Sequence, residues 1–245
     1  MRLLFSGTVP KVLDYPGDNE DATAIDEVRG RIAVSDGASE SYDSKTWSNL
    51  LVRQFVQDTR VGPAWVRRAV DAFGQRVNRD ELSWSKQASF DRGSFATLLG
   101  VRWDPSSAVV DIWCIGDSLI VLLDGTRQVA CRPYTEAAEF SQRPQLLSTN
   151  RALNGFSAKS DFRRRLHHQW QVDQLHAPVL LCMTDGLGEW ALREAQTGRP
   201  VWAELTAIDS APDLERLVVE ERARHNMRVD DVTLLHIGLD VDPGA

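Results

Sequence analysis

Apolar and polar positions alternate in blocks along this chain. Short runs rich in β-branched and large apolar residues occupy 31–35, 94–103, 108–115, 119–123, 179–184 and 232–237. Most are closed by Gly, Asp or Pro, which predicts strands. Between the first two runs the spacing changes to that of helices. Trp47, Leu50, Leu51 and Phe55 share one helical face behind Asp43 and Ser44, both capping residues. Pro63 suits a first helical turn, and Val66, Val70, Phe73 and Val77 follow it as one apolar stripe. A third helix is predicted over about 212–225, with Leu214, Leu217 and Val218 facing inward. "VRWDPSSAVVDIWCIGDSLIVLLDG" reads as strand, Asp-Pro turn, strand, Gly-Asp turn, strand, an antiparallel meander.

Strands and helices do not alternate regularly, which argues against a doubly wound parallel sheet. The pattern predicts an α+β fold, with sheets packed face to face and helices outside. Residues 132–176 are polar and weakly periodic, carry Pro133, Pro144 and the basic run Arg163, Arg164 and Arg165, and read as an irregular insertion with some hairpin character. The expectation is one domain over 1–245 interrupted by that insertion.

Composition narrows the function. With 245 residues, 42% hydrophobic and 26% charged, the chain has the make-up of a globular protein with a real core. Its net charge of −7 disfavours nucleic acid and anionic lipid as partners, and no apolar run approaches a membrane span. Cys114, Cys131 and Cys182 form neither a metal-binding pair nor a disulfide framework, so buried thiols in a reducing cytoplasm are expected. The five histidines form no triad with a candidate nucleophile.

The chemistry is carried by carboxylates at the ends of predicted strands: Glu20 and Asp21 in "GDNEDA", Asp36 in "VSDGAS", Asp117 in "IGDSL", Asp185 in "CMTDGLGEW", and Asp230 beside Asp231 in "RVDDVTLL". Any one of these alone is an ordinary turn residue. Brought together, they would repel one another and lose hydration unless cations were present. Oxygen-rich sets suit hard divalent ions such as Mg²⁺ or Mn²⁺, and no His or Cys spacing points to zinc.

In sequence order, "NEDA", "VSDGAS", "GSFATLLGV", "IGDSLIVLLDG", "TDGLGEW" and "DDVTLL" resemble the motifs of the metal-dependent (type 2C, PPM) Ser/Thr protein phosphatases of bacterial type. The resemblance runs from about residue 5 to 239. It implies a four-layer αββα architecture, a β-sandwich of two antiparallel sheets flanked by helices, with a two-metal centre at one end. It implies that Asp36 bridges two Mn²⁺ or Mg²⁺ ions, that the Gly37 carbonyl and Glu20 serve one of them, and that Asp185 and Asp230 serve the other. Asp21 would support the set from behind, while Asp117 and Glu189 would hold a weaker third ion. Such a pair of metals lowers the pKa of a shared water and neutralises phosphoryl oxygens, so no protein nucleophile is needed.

The chain departs from that pattern where many relatives carry a phosphate-gripping Arg before the Glu-Asp pair; here the residues are "LDYPGDN". Arg163, Arg164 and Arg165 are the candidate replacement. Ala38 stands where some eukaryotic relatives have a His, and the segment after Asp124-Gly125 lacks the familiar Asp-His pair. The reading is a cytoplasmic phosphoserine/phosphothreonine phosphatase in signalling, opposing a Ser/Thr kinase. Its rivals are a non-catalytic phosphoprotein-binding module on the same fold and a small-molecule phosphatase.

Overall fold

Two five-stranded antiparallel sheets stack face to face in a computed structural model that describes residues 1–39 and 41–240. The first sheet runs in the order β1 (Arg2–Val9), β12 (Val232–Gly238), β11 (Pro178–Met183), β7 (Leu119–Asp124), β8 (Arg127–Arg132). The second runs β10 (His167–Gln171), β6 (Val109–Ile115), β5 (Leu98–Asp104), β3 (Arg31–Ser35), β2 (Ala22–Asp26). A two-residue pair, β4 (Phe95–Ala96) with β9 (Leu147–Ser148), sits beside them. Every named pairing is antiparallel. The meander read from sequence is β5-β6-β7, but its third strand crosses into the other sheet.

The central strands are apolar on both faces because each face meets a different layer. In β7, Ile120 and Leu122 point between the sheets, while Leu119, Val121 and Leu123 point outward. In β11, Leu180 and Cys182 point inward and Leu181 and Met183 outward. The period of two divides one apolar run between two cores. The first sheet's outer face is covered by α5 (Asp185–Gln196), α6 (Val201–Thr206) and α7 (Ala211–Ala223), with Trp190, Leu205 and Val218 buried there. The second sheet's outer face is covered by α1 (Ser44–Gln57) and α2 (Pro63–Gly74), through Trp47, Leu51, Phe55, Trp65 and Phe73. These are the four layers expected.

The helix signals act as predicted: the Asp43 side chain accepts from the Thr46 amide at 3.0 Å to cap α1, and Pro63 opens α2. Four helices lacked a sequence prediction: α3 (Trp84–Arg92), α4 (Phe162–Leu166), α5 and α6. The strand expected to reach residue 184 ends at Met183, and α5 begins two residues later, at Asp185. Strands β1, β2 and β8 were also unpredicted.

Residues 132–176 are more regular than their polarity implied. They supply β9, β10 at the edge of the second sheet, and a short helix α4 (Phe162–Leu166). Trp170 and Val172 reach the inter-sheet core, and Phe162 packs against Trp113. The arginine run expected in a loop is therefore helical. All three cysteines are free and buried. No helix among the described residues is long and apolar enough to cross a membrane.

Candidate metal centre

The acidic strand ends converge at one end of the sandwich. Carboxylate oxygens of Asp36, Asp117 and Asp185 all lie within 4.8 Å of one another. They line a cavity of about 160 Å³, together with Asp230, Gly37 and Thr97.

Each acid is delivered by a different turn. Asp36 follows β3 directly and is clamped by Thr97: its amide donates to Thr97 Oγ1 at 2.8 Å, and its carbonyl accepts from the Thr97 amide at 2.9 Å. Thr97 Oγ1 is in turn 2.8 Å from Ser118 Oγ, which ties this strand end to the turn carrying Asp117. That turn needs Gly116, whose φ of +102° is a conformation L side chains rarely adopt, and whose missing Cβ leaves room for Thr97. Asp185 is the first residue of α5, where the helix dipole favours a carboxylate. Asp230 immediately precedes Asp231 and β12.

Gly37 is held by close approach rather than by φ. A Cβ there would stand 2.9 Å from the Glu20 carbonyl oxygen and 2.9 Å from Ser44 Cβ. The backbone of the Asp36-Gly37 pair therefore lies directly against the segment carrying Glu20 and Asp21. Glu20 itself is already partnered: Lys11 Nζ donates at 3.0 Å and Ser44 Oγ donates to its other oxygen. Burial pushes its carboxyl up, but hydrogen bonds from Ser39, Ser44 and Lys11 outweigh that and hold it below the usual range. Asp21 lies behind Asp36, accepting from Thr184 at 3.0 Å and Thr233 at 2.7 Å, with its Oδ1 buried and unpartnered. Burial, followed by the charge of Asp36, pushes its carboxyl well up.

The electrostatics are those of a crowded set of anions. Burial, then the charges of Asp230 and Asp117, push the Asp36 carboxyl up to about 7, against the opposing pull of Arg228. Burial also raises Asp117. Arg228 pairs with Asp185 and stands 3.6 Å from Asp230. Even so, Asp185 Oδ1 is buried without a hydrogen-bond partner. A buried orphan oxygen among three converging carboxylates, with no His or Cys beside them, is a donor set that suits a hard divalent cation. The residues fit such a group.

Glu20 and Asp21 flank this cavity without lining it, and two further sets of sequence candidates are placed apart from it. Glu189, one turn along α5 from Asp185, pairs with Arg193 and does not line the cavity. Arg163 stacks over Trp113, its guanidinium 5.6 Å from the ring centroid, and lines a separate cavity of about 320 Å³ with Arg60 and Arg102. Arg164 is exposed, and Arg165 faces a third cavity. Conversely, Lys11 and Arg228, the cations that do stand beside the acids, carried no sequence signal. Asp231 was seen only as a neighbour, yet its two oxygens accept from the amides of Lys11 at 2.7 Å and Glu20 at 2.9 Å, docking the segment that carries Glu20.

Comparison with known proteins agrees with this geometry. Residues 17–220 match the family described as protein phosphatase 2C; Glu20, Asp36, Asp117 and Asp185 fall inside the matched segment, and Asp230 lies beyond it. Among solved structures, the chain is similar to the Mycobacterium tuberculosis serine/threonine phosphatase PstP/Ppp, with TM-score 0.61 and 16% identity over 96% of this chain and 97% of that one. It is similar to the PstP catalytic domain in complex with two manganese ions, with TM-score 0.57 and 16% identity over 97% of this chain and 99% of that one. It is also similar to PppA of Pseudomonas aeruginosa, with TM-score 0.51 and 19% identity over 96% and 97%. No curated protein matches the chain in sequence. The family match covers most of the chain and includes three converging acids, so the chain belongs to the protein phosphatase 2C family and is a Ser/Thr phosphoprotein phosphatase.

Proposed function

We propose that this phosphatase works with two divalent cations, Mn²⁺ or Mg²⁺, held at the acidic end of the sandwich by Asp36, the Gly37 carbonyl, Asp185 and Asp230, with Glu20 alongside and Asp21 behind. The observation that carries this reading is the convergence of Asp36, Asp117 and Asp185 within 4.8 Å, with a buried Asp185 oxygen left without a partner. When bound, such ions acidify a water and offset the negative charge of a phosphoryl group.

The chain's own residues provide position. Thr97 fixes the Asp36 backbone and, through Ser118, its spacing from Asp117. Asp21, bonded to Thr184 and Thr233, braces the start of α5 against β12 and so sets Asp185 relative to Asp230. Asp117 stands inside the cluster, whereas Glu189 reaches a third ion only by releasing Arg193. Free buried thiols support a reducing, cytoplasmic setting, in which a Ser/Thr kinase would supply the phosphorylated substrate.

Phosphate release from a phosphothreonine peptide, with Mn²⁺, with Mg²⁺ and with EDTA, tests the reading. The expected result is release that depends on the ion and returns when it is restored. Equal release in EDTA would defeat the metal-dependent mechanism. Ion binding without release would leave a phosphoprotein-binding module.

A further inference from the structure

The acid-lined cavity shares two walls, Pro144 and Leu146, with a larger cavity of about 750 Å³. Tyr134, in the larger one, lies near enough to Asp117 that this carboxylate, after burial, pushes its hydroxyl pKa up. The two cavities are thus neighbours across the Pro144–Leu146 wall, and the larger one has the opposite chemistry. Arg132, Arg143, Arg165 and His168 line it, and its lining contains no carboxylate. In a chain of net charge −7 that is a marked local reversal.

These cations are largely uncommitted. Among the described residues, neither Arg132 nor Arg143 has a carboxylate within ion-pairing reach, and Arg165 has only Asp161 at 3.8 Å. Arg132 donates one bond to its neighbouring Cys131 carbonyl at 2.8 Å. The carboxylate of nearby Glu139 is engaged by the amides of Thr135 at 2.7 Å and Glu136 at 2.9 Å. The groove is also firmly built: Arg132 ends β8, His168 belongs to β10, and Arg165 lies on α4 just before it. Leu153, 48% exposed, and Leu146 add apolar surface. A cleft of this volume, with fixed cations and some apolar floor, is of the usual size for a ligand site.

We propose that this basic groove receives the polypeptide flanking the phosphorylated residue and selects substrates with acidic side chains beside it. The inference rests on the phosphatase reading and adds to it the substrate class. A phosphoryl group placed at Asp36, Asp117 and Asp185 leaves its own chain lying across the Pro144–Leu146 wall. On the acid side a carboxylate in that chain meets repulsion. On the groove side it meets the guanidinium groups of Arg132 and Arg143, which have no carboxylate partner among the described residues, and of Arg165, held only by Asp161 at 3.8 Å. Guanidinium groups bind carboxylates in a bidentate fork. Charge complementarity of this kind discriminates between partners more than it adds raw affinity.

The test uses two phosphothreonine peptides of equal length, one flanked by Asp and Glu and the other by Lys and Arg, with wild type and the double variant R143E/R165E in saturating Mn²⁺. Wild type is expected to favour the acidic peptide in kcat/KM by about fivefold or more, chiefly through KM, with the preference shrinking at high salt. The double variant is expected to lose or invert that preference. Equal kcat/KM for both peptides in wild type, or an unchanged ratio in the variant, overturns the inference while leaving the phosphatase reading intact. If neither peptide is hydrolysed, the phosphatase reading fails and the inference with it.

Discussion

Asp111 and Asp36 are both largely buried carboxylates of one sheet, the first on β6 and the second just past the end of β3, with β5 between them, and the fold treats them in opposite ways. Asp111, on β6, accepts from Gln169 at 2.7 Å and Arg102 Nε at 3.0 Å, and His167 stands 3.2 Å away. Burial pushes its carboxyl up, but Gln169, Arg102 and His167 together hold it below the usual range. Asp36, one residue beyond β3, is pushed up by burial and then by the negative charges of Asp230 and Asp117, and its carboxyl rises to about 7. One acid is satisfied by folding itself. The other is positioned at a cost that only a cation from outside offsets, which is the physical mark of a binding site rather than a structural one.

The comparison breaks most sharply in activity. Asp36→Asn and Asp185→Asn are each expected to lower kcat/KM on a phosphopeptide by more than about a thousandfold, as for groups that face the reacting phosphoryl charge. Circular dichroism should show the fold intact in both. Retention of a tenth of wild-type activity would remove these residues from the centre.

Next in size is pH-dependent stability in EDTA. An acid whose folded pKa is raised stays protonated in the folded chain while the unfolded chain has already ionised. Asp36 should therefore destabilise the metal-free protein progressively as pH rises from about 4 to about 7, by on the order of 4 kcal/mol. Thermal unfolding across that range should show the decline, and Asp36→Asn should flatten it. A wild-type profile with no decline would contradict the electrostatic account.

Asp111 has the opposite sign. Its depressed pKa contributes stability that is full above the ordinary carboxylate range and is lost as pH falls through its folded value. Asp111→Asn should cost about 1–3 kcal/mol in urea unfolding, with phosphatase turnover within about twofold of wild type. Loss of turnover at unchanged stability would mean that the outlying acid belongs to the chemistry after all.

The smallest expected effect is at Glu189. With its carboxylate on Arg193, Glu189→Gln should change kcat at saturating Mn²⁺ by less than about twofold, because such helical pairs are worth little. A large fall in kcat with two ions still bound, measured by titration of the metal, would instead assign it to a third ion.

Much of this was legible in the chain. Asp43 before an apolar helical stripe and Pro63 at a helix start are local signals, and local geometry obeyed them. The acids at strand ends were visible because Asp-Gly and Gly-Asp turns are short-range features. What escaped was set by contacts distant in sequence. Strand β1 alternates ambiguously and becomes a strand by pairing with β12, more than two hundred residues away. The TDG segment looked like a strand end because its helical continuation, "DGLGEW", contains two glycines; burial of Leu187 and Trp190 against the first sheet holds it helical.

The sequence by itself determined which residue types stand at the strand ends, the two-sided apolar strands that require layers on both faces, and a family whose members share that order of motifs. Only the tertiary structure decided which cations approach the acids. The arginine run at 163–165 was the obvious choice by composition, yet α4 turns Arg163 onto Trp113 and Arg165 into the neighbouring groove. Lys11 and Arg228 reach the acids instead, one through the docking of its backbone on Asp231 and the other by lying two residues before Asp230. Charge attracts over a distance that only folding sets, so a sequence lists the ions and the packing of strands chooses the pairs.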